Sequence, residues 1–356
     1  MAKYKLSDFD YDLPEELIAT EPASPRDSSR LLVLDKKTGE MEHRHFSDIV
    51  DYLDEGDVLV LNDSKVIPAR LMAKKESTGG KVEVLLHKKV SAGEWECLLG
   101  GRVHDGLSLS IGRGLSAEVL KNNNDGTWLV KFSLSGTKLL KAVEKVGQMP
   151  LPPYIVAQIK DKKEKRKDKE SYQTVFADDK KAGSVAAPTA GLHFTPRLLD
   201  KLKKKGVKIL KITLYVGMGT FAPVKTEDIS KHKMHAEWVE VGKSAIGNLQ
   251  SAISEKRRVI AVGTTSCRSL EACWQKMGRP STGSGQSFQD WVDIFITPGY
   301  KFKAVDGLIT NFHQPKSTLM MLVSALAGKK NIDKAYAEAI TNRYRFYSYG
   351  DAMFIK

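Results

Sequence analysis

Cysteine is scarce in this chain of 356 residues. Cys97, Cys267 and Cys273 are too few and too irregularly spaced for a disulfide framework or a zinc cluster, so a reducing, cytoplasmic setting is expected. The first ten residues hold no apolar core of an export signal, and no run of about 18 apolar residues occurs anywhere, so neither export nor membrane insertion is expected. No Gly-x-x-x-x-Gly-Lys-Ser/Thr run is present, which weakens any nucleoside triphosphatase reading. His232-Lys233-Met234-His235-Ala236-Glu237 crowds two imidazoles and a carboxylate, but the spacing is not His-Glu-x-x-His and Lys233 adds a competing charge; no metal site is expected. Internal repeats are lacking too, and only residues 280–286 are low in complexity.

Acidic residues are in the minority, 43 against 56 Lys and Arg, for a formal net charge of +13. That excess suits a polyanionic partner such as nucleic acid, the alternative being a merely solvated basic surface. A hydrophobic fraction of 41% and a charged fraction of 28% describe an ordinary soluble chain, long enough for two domains.

Apolar runs at Arg30–Asp35 and Asp57–Asp63 predict buried strands, the first closed by the turn at Lys36–Gly39, and Pro14 predicts a helix start. From about Ala69 to Gly147 the texture changes to short alternating runs such as Lys81–Leu86 and Thr127–Phe132, separated by Gly or Asn/Asp turns; this predicts an inserted antiparallel barrel or sandwich. After Met149-Pro150-Leu151-Pro152-Pro153 and the charge run over residues 160–170, alternation of strand and helix returns. Helices are predicted over Arg197–Lys205, Lys243–Arg257 and Ser266–Met277, and strands over Val207–Tyr215 and Val259–Val262, an α/β pattern.

Five segments carry the polar chemistry. Ala187–Pro196 contains His193, and Ile212–Val224 contains two close glycines where a ligand can approach the backbone. Val259–Glu271 reads as strand, Gly263-Thr264-Thr265 turn, then helix, whose free N–H groups attract carboxylate or phosphate, plain capping being the alternative. Leu308–Met320 repeats that pattern, with Asn311 and His313 at the strand end and Ser317 placed to cap a helix. Asn342–Asp351 interleaves arginine with aromatics, suited to stacking at about 1–3 kcal/mol per nucleobase, or else to packing Phe346 into the core.

Together these segments resemble the S-adenosylmethionine:tRNA ribosyltransferase-isomerases of bacterial queuosine biosynthesis. The resemblance runs from Tyr11-Asp12-Leu13-Pro14 and Arg26-Asp27-x-Ser29-Arg30-Leu31-Leu32 through Ala187–Phe194, Gly217-x-Gly219-Thr220-Phe221, His232-x-Met234-His235-x-Glu237, Gly263-Thr264-Thr265 and Asn311-Phe312-His313 to Tyr344-x-Phe346-x-Ser348-Tyr349-Gly350-Asp351. It implies a distorted, barrel-like α/β domain over 1–68 and 149–356, with a small antiparallel β-barrel inserted at 69–148. It also implies transfer and isomerisation of the ribosyl group of S-adenosylmethionine onto 7-aminomethyl-7-deazaguanine at the tRNA wobble position, giving epoxyqueuosine-tRNA, adenine and methionine. S-adenosylmethionine is then consumed, no separate cofactor or metal is implied, and a monomer is favoured.

Such chemistry needs a base, an acid and exclusion of water. The acid/base candidates are His193, His235, Glu237 and His313. Candidates for holding the donor are Thr189, Ala190, Gly191, Gly217, Gly219, Thr220, Phe221, Gly263, Thr264, Thr265, Arg268 and Asn311, and for tRNA Lys163, Arg166, Arg343, Tyr344 and Arg345. The chain departs from the family pattern in its long basic run over 160–169 and at Cys267 and Gln314, both expected to touch the pocket. A non-catalytic RNA-binding protein and a metallohydrolase remain as readings from other classes.

Overall fold

The computed structural model describes residues 4–158, 167–217, 224, 226–277 and 285–356. Strands β1 (Arg30–Leu34), β2 (Met41–His45) and β3 (Val58–Asn62) come first, and β4 (Lys65–Val66) leads into β5 (Arg70–Lys75), β6 (Lys81–Lys89), β7 (Glu94–Gly100), β8 (Ser108–Gly112), β9 (Leu115–Asn122) and β10 (Trp128–Phe132). Helices α1 (Gly136–Val146), α2 (Pro153–Gln158) and α3 (Asp168–Ser171) and strand β11 (Ala182–Ser184) lead back to α4 (Pro196–Lys204), β12 (Lys208–Leu214), β13 (Glu237–Val241), α5 (Lys243–Ser254), β14 (Val259–Val262) and α6 (Gly263–Met277). The chain closes with β15 (Phe288–Val292), β16 (Gly307–Asn311), α7 (Thr318–Ala327), α8 (Lys329–Thr341) and β17 (Ala352–Ile355). The expected helix at Pro14 is a single 3-10 turn, Glu15–Leu17.

Among the described residues, nine strands form one mixed sheet in the order β15-β13-β12-β3-β14-β16-β17-β1-β2. β12, β3, β14 and β16 run parallel at its centre. Strands covered on both faces need apolar side chains in both directions, and β3 supplies them: Val58 and Val60 point into the core shared with α5, α6, α7 and α8, while Leu59 and Leu61 point into the core under α4, Phe46 and Phe194. β14 divides in the same way, Val259 and Ala261 against Ile260 and Val262. α4 begins as its sequence dictates, with Thr195 accepting from the Leu198 N–H and Pro196 in the first turn. β17 lies between β16 and β1 with all four residues buried, so the end of the chain is part of the sheet.

The predicted insert is a closed six-stranded antiparallel barrel, β10-β7-β6-β5-β8-β9, and the α/β class of the remainder is likewise as expected. Leu71, Val82, Val84, Leu86, Trp95, Leu109, Val119 and Val130 fill the barrel, and Leu139 and Val143 of α1 join the same core. Closure leaves the barrel without a free sheet edge. Its entry and exit strands are clasped to each other: the Arg70 N–H donates to the Gln148 carbonyl at 3.1 Å and the Gln148 N–H to the Arg70 carbonyl at 2.8 Å. Gly147 makes that approach possible, since a Cβ there would stand 1.9 Å from the Pro68 carbonyl oxygen. Gly147→Ala should therefore separate the two linkers and destabilise the protein by about 1–3 kcal/mol, read as a lower urea midpoint with earlier proteolytic cleavage near residues 68 and 147; an unchanged midpoint would refute the clasp.

Candidate functional site

The central parallel strands end on one side of the sheet, at Asn62, Leu214, Val262 and Asn311, the place where open α/β sheets present ligand crevices. The segments just beyond these strand ends build the site. α6 starts at Gly263, whose φ of +86° suits glycine, so Thr264 and Thr265 sit inside its first turn rather than in a loop ahead of it. A small cavity of about 70 Å³ lies here, lined by Thr189, Ala190, Gly263, Thr264, Thr265, Asn311, His313 and Gln314, with Tyr154 and Tyr347 at its side. The Thr265 hydroxyl is buried there without a hydrogen-bond partner.

Behind this cavity runs a chain of hydrogen bonds. Ser29 Oγ lies 2.8 Å from Nδ1 of His193, Nε2 of His193 lies 3.1 Å from Asn311 Nδ2, and the Thr189 hydroxyl donates to Asn311 Oδ1 at 2.9 Å. The His193 ring stacks on Phe46 with centroids 4.9 Å apart. Burial, aided by the positive charges of Arg345 and Arg26, pushes its pKa down to about 3. His313 is likewise pushed down to about 3 by burial. Its Nε2 bonds the Thr310 hydroxyl at 2.7 Å, its N–H donates to the Tyr336 hydroxyl at 2.9 Å, and its carbonyl accepts a short bond from the Tyr11 hydroxyl. Both imidazoles are neutral at physiological pH.

A larger cavity of about 510 Å³ adjoins the first, sharing Val216 and Leu319 with it. One wall is the barrel, through His87, Trp95 and Asp125; the other is the sheet edge and α6, through Gly217, His235, Glu237, Trp238 and Arg268. Glu237 and Arg268 are both more than nine-tenths buried and pair at 2.5 Å, and the Gly217 N–H donates to the same carboxylate at 3.2 Å. Arg268 also donates to the Ile294 carbonyl at 3.3 Å, and its Nη2 is buried without a partner. The buried pair is electrically balanced, so removing either member strands the other charge. His235 is exposed on the cavity wall, its ring edge-on to His87 at 6.3 Å. Burial, then the neighbouring His235, lowers the His87 pKa. His232 lines the same cavity, its ring 5.3 Å from that of Phe295, and no cluster of three metal-ligating side chains occurs among the described residues.

The structure thus gathers Thr189, Ala190, Gly263, Thr264, Thr265, Asn311 and His313 around one cavity and Gly217, His235, Glu237 and Arg268 around the next. Other predicted residues fall elsewhere. His193 lines neither cavity, with both ring nitrogens already engaged. Gly191 is a packing glycine, since a Cβ would stand 2.6 Å from the Phe176 ring. Cys267 is buried in the core on α6 and does not touch the small cavity, correcting the expectation that it would; Gln314 does line it. Tyr344 is fully buried, with the Arg30 guanidinium 3.7 Å over its ring and its hydroxyl 2.8 Å from His43 Nδ1, which leaves no ring face for a base. Arg345 pairs with buried Asp351 at 3.4 Å, and Arg343 is exposed, 3.8 Å from Glu16. Gly219, Thr220, Phe221, Lys163 and Arg166 lie outside the described residues. The barrel's contribution was missed in the sequence, although Leu85-Leu86 breaks the alternation of β6 at the register shift between Leu86 and Lys88. A bulge of that kind re-aims a side chain, here His87.

The two buried imidazoles carry a pH signature. Their unfolded pKa is 6.5 and their folded pKa about 3, so the unfolded state binds more protons throughout that window. Their contribution to stability is complete above pH 6.5 and is lost progressively as pH falls toward 3, by up to about 1.4 kcal/mol per pH unit for each. Between pH 6.5 and 5 the urea midpoint should decline, and His193→Gln should flatten that decline; equal slopes would mean that the ring is not held neutral.

Comparison with known proteins identifies the chain's relatives. A family model described as "Queuosine biosynthesis protein" matches residues 6–355. An S-adenosylmethionine:tRNA ribosyltransferase-isomerase of Acetivibrio thermocellus is 51% identical, covering 99% of this chain and 100% of the relative. The Clostridioides difficile protein of the same name is 50% identical, again over 99% and 100%. The crystal structure of an S-adenosylmethionine tRNA ribosyltransferase from Thermotoga maritima, 40% identical, is similar over 98% of this chain and all of that one with a TM-score of 0.56. With nearly its whole length matched by the family model and by relatives at half identity, this chain belongs to the queuosine biosynthesis protein family.

Proposed function

We propose that this protein transfers the ribosyl group of S-adenosylmethionine to 7-aminomethyl-7-deazaguanine at the wobble position of tRNA and isomerises it, releasing adenine and methionine and leaving epoxyqueuosine-tRNA. S-adenosylmethionine is consumed, so the reading assigns no resident cofactor. The active form is a cytoplasmic monomer, divided into an α/β unit over 1–68 and 149–356 and the barrel unit over 69–148.

The observation that carries this reading is the pair of adjoining cavities at the strand ends, one small, the other larger and faced by the barrel, with imidazoles in both. The sulfonium of the donor makes the neighbouring carbon acidic, and removing that proton takes an acceptor that does not repel the positive charge. His313 is neutral on the small cavity, and no hydrogen bond to its Nδ1 is present among the described residues. We assign it the base. His235, on the wall of the larger cavity, is assigned the acid that helps adenine depart. Glu237 and Arg268 form a balanced, immobile pair suited to orienting the amino-acid end of the donor without adding net charge. The first turn of α6 presents N–H groups and the unpartnered Thr265 hydroxyl to polar donor atoms.

The test is incubation of purified protein with S-adenosylmethionine and tRNA carrying the modified base, following adenine and the mass of the wobble nucleoside. Adenine release with a matching mass gain is expected only when that base is present. His313→Gln and His235→Gln should each lower turnover about 10²-fold or more while leaving donor affinity near wild type. Absence of both products from the wild-type reaction would dismiss the ribosyl-transfer reading.

A further inference from the structure

His193 is a buried titratable group beside the site, yet the proton chemistry assigned above does not use it. Each ring nitrogen already has a partner, Ser29 at 2.8 Å and Asn311 at 3.1 Å, one ring face is covered by Phe46, and the ring reaches neither cavity. A proton shuttle needs a nitrogen within reach of substrate, and this ring offers none. We propose that His193 is a positioning residue that fixes the direction of a hydrogen-bond chain from Ser29 to Thr189, leaving the Thr189 hydroxyl oxygen as an acceptor subsite for a sugar hydroxyl of the donor.

The direction follows from the placement of the Asn311 amide, with Oδ1 toward Thr189 and Nδ2 toward His193. Asn311 Oδ1 has no proton to give, so the bond at 2.9 Å takes the single proton of the Thr189 hydroxyl. Asn311 Nδ2 has only protons to give, so Nε2 of His193 is the unprotonated nitrogen, and a neutral ring then carries its hydrogen on Nδ1, donated to Ser29 Oγ. Ser29, His193 and Asn311 are all more than nine-tenths buried, whereas Thr189 is half-buried and lines the small cavity. With its proton committed inward, Thr189 has only lone pairs left to offer. It therefore selects a ligand group bearing hydrogen and disfavours one bearing only an acceptor. In a protein that handles a ribosyl group, that partner is a ribose hydroxyl; the subsite thus rests on the function proposed above.

The experiment measures, with tRNA present, the dissociation constants of S-adenosylmethionine and its 2′-deoxy and 3′-deoxy analogues. Wild type should prefer the ribosyl donor over one of the two analogues by about 2- to 10-fold, the range of one net hydrogen bond. Thr189→Val and His193→Phe should abolish that preference, Thr189→Ser should keep it, and the pH profile of turnover should keep its shape in His193→Phe. Should His193→Phe fail to fold, Ser29→Ala removes the acceptor at the far end of the chain and should weaken the same preference. Equal affinity of wild type for all three ligands, an unchanged preference in Thr189→Val, or loss of one limb of the pH profile in His193→Phe would each overturn the proposal. A wild-type protein that binds no donor and releases no adenine would instead defeat the ribosyl-transfer reading, and the subsite with it.

Discussion

A parallel sheet covered on both faces can offer chemistry only at its strand ends, and that constraint organises this protein. The side chains of β3 and β14 are spent in two directions on two apolar cores, so nothing along their length is free to meet a ligand. Each strand therefore delivers its cavity-lining residues at its C-terminal end: Gly263 to Thr265 after β14, Thr310 to His313 around the end of β16, and Val216 with Gly217 beyond β12. The segment carrying Thr189 and His193 packs beneath the same ends and is tied to β16 through Asn311. Polar atoms from residues more than a hundred positions apart are thus fixed against one another by apolar burial.

Charge is handled on two scales. The chain as a whole carries +13, which draws a polyanion toward it. Locally the site is close to neutral: His193 and His313 are held uncharged, and Arg268 is matched by Glu237. The proposed ribosyl transfer would bring a cationic small-molecule donor and an anionic nucleic acid with opposite electrostatic demands, and a basic exterior around a charge-balanced interior suits both. The positive neighbours Arg26 and Arg345 serve this separation, since they oppose protonation of His193 without entering either cavity.

The elements legible in the sequence were those whose signals are local. An uninterrupted apolar run marked β3, the alternation of strand and helix marked α4, and regular short alternation marked the barrel. Ser317 was recognised as a cap and accepts from the Met320 N–H at 3.2 Å. What could not be read was set by distance in sequence. Whether Tyr344 stacks on a base or fills the core depends on Arg30 and His43, some three hundred residues away, and the contacts decide for the core. His193 read as an acid or base because a histidine beside glycine and threonine has that composition; only the partners on both nitrogens show otherwise. His87 was overlooked because a barrel strand reads as scaffold until its bulge is seen to face the sheet.

The inserted barrel gives the larger cavity its second wall. A sheet edge alone gives an open shelf, and the segment leading into β13 would present His235 to bulk water, where its interactions would be screened. The barrel supplies the facing wall, and its closure means that this wall is held by its own core of valines, leucines and Trp95, independent of what the cavity contains. The clasp between Arg70 and Gln148 sets where that wall stands. Both linkers are bonded to each other over the same two residues, so a twist of the barrel about them must break both bonds together, and Lys88 over the Trp291 ring at 4.4 Å adds a side-chain contact between barrel and sheet edge.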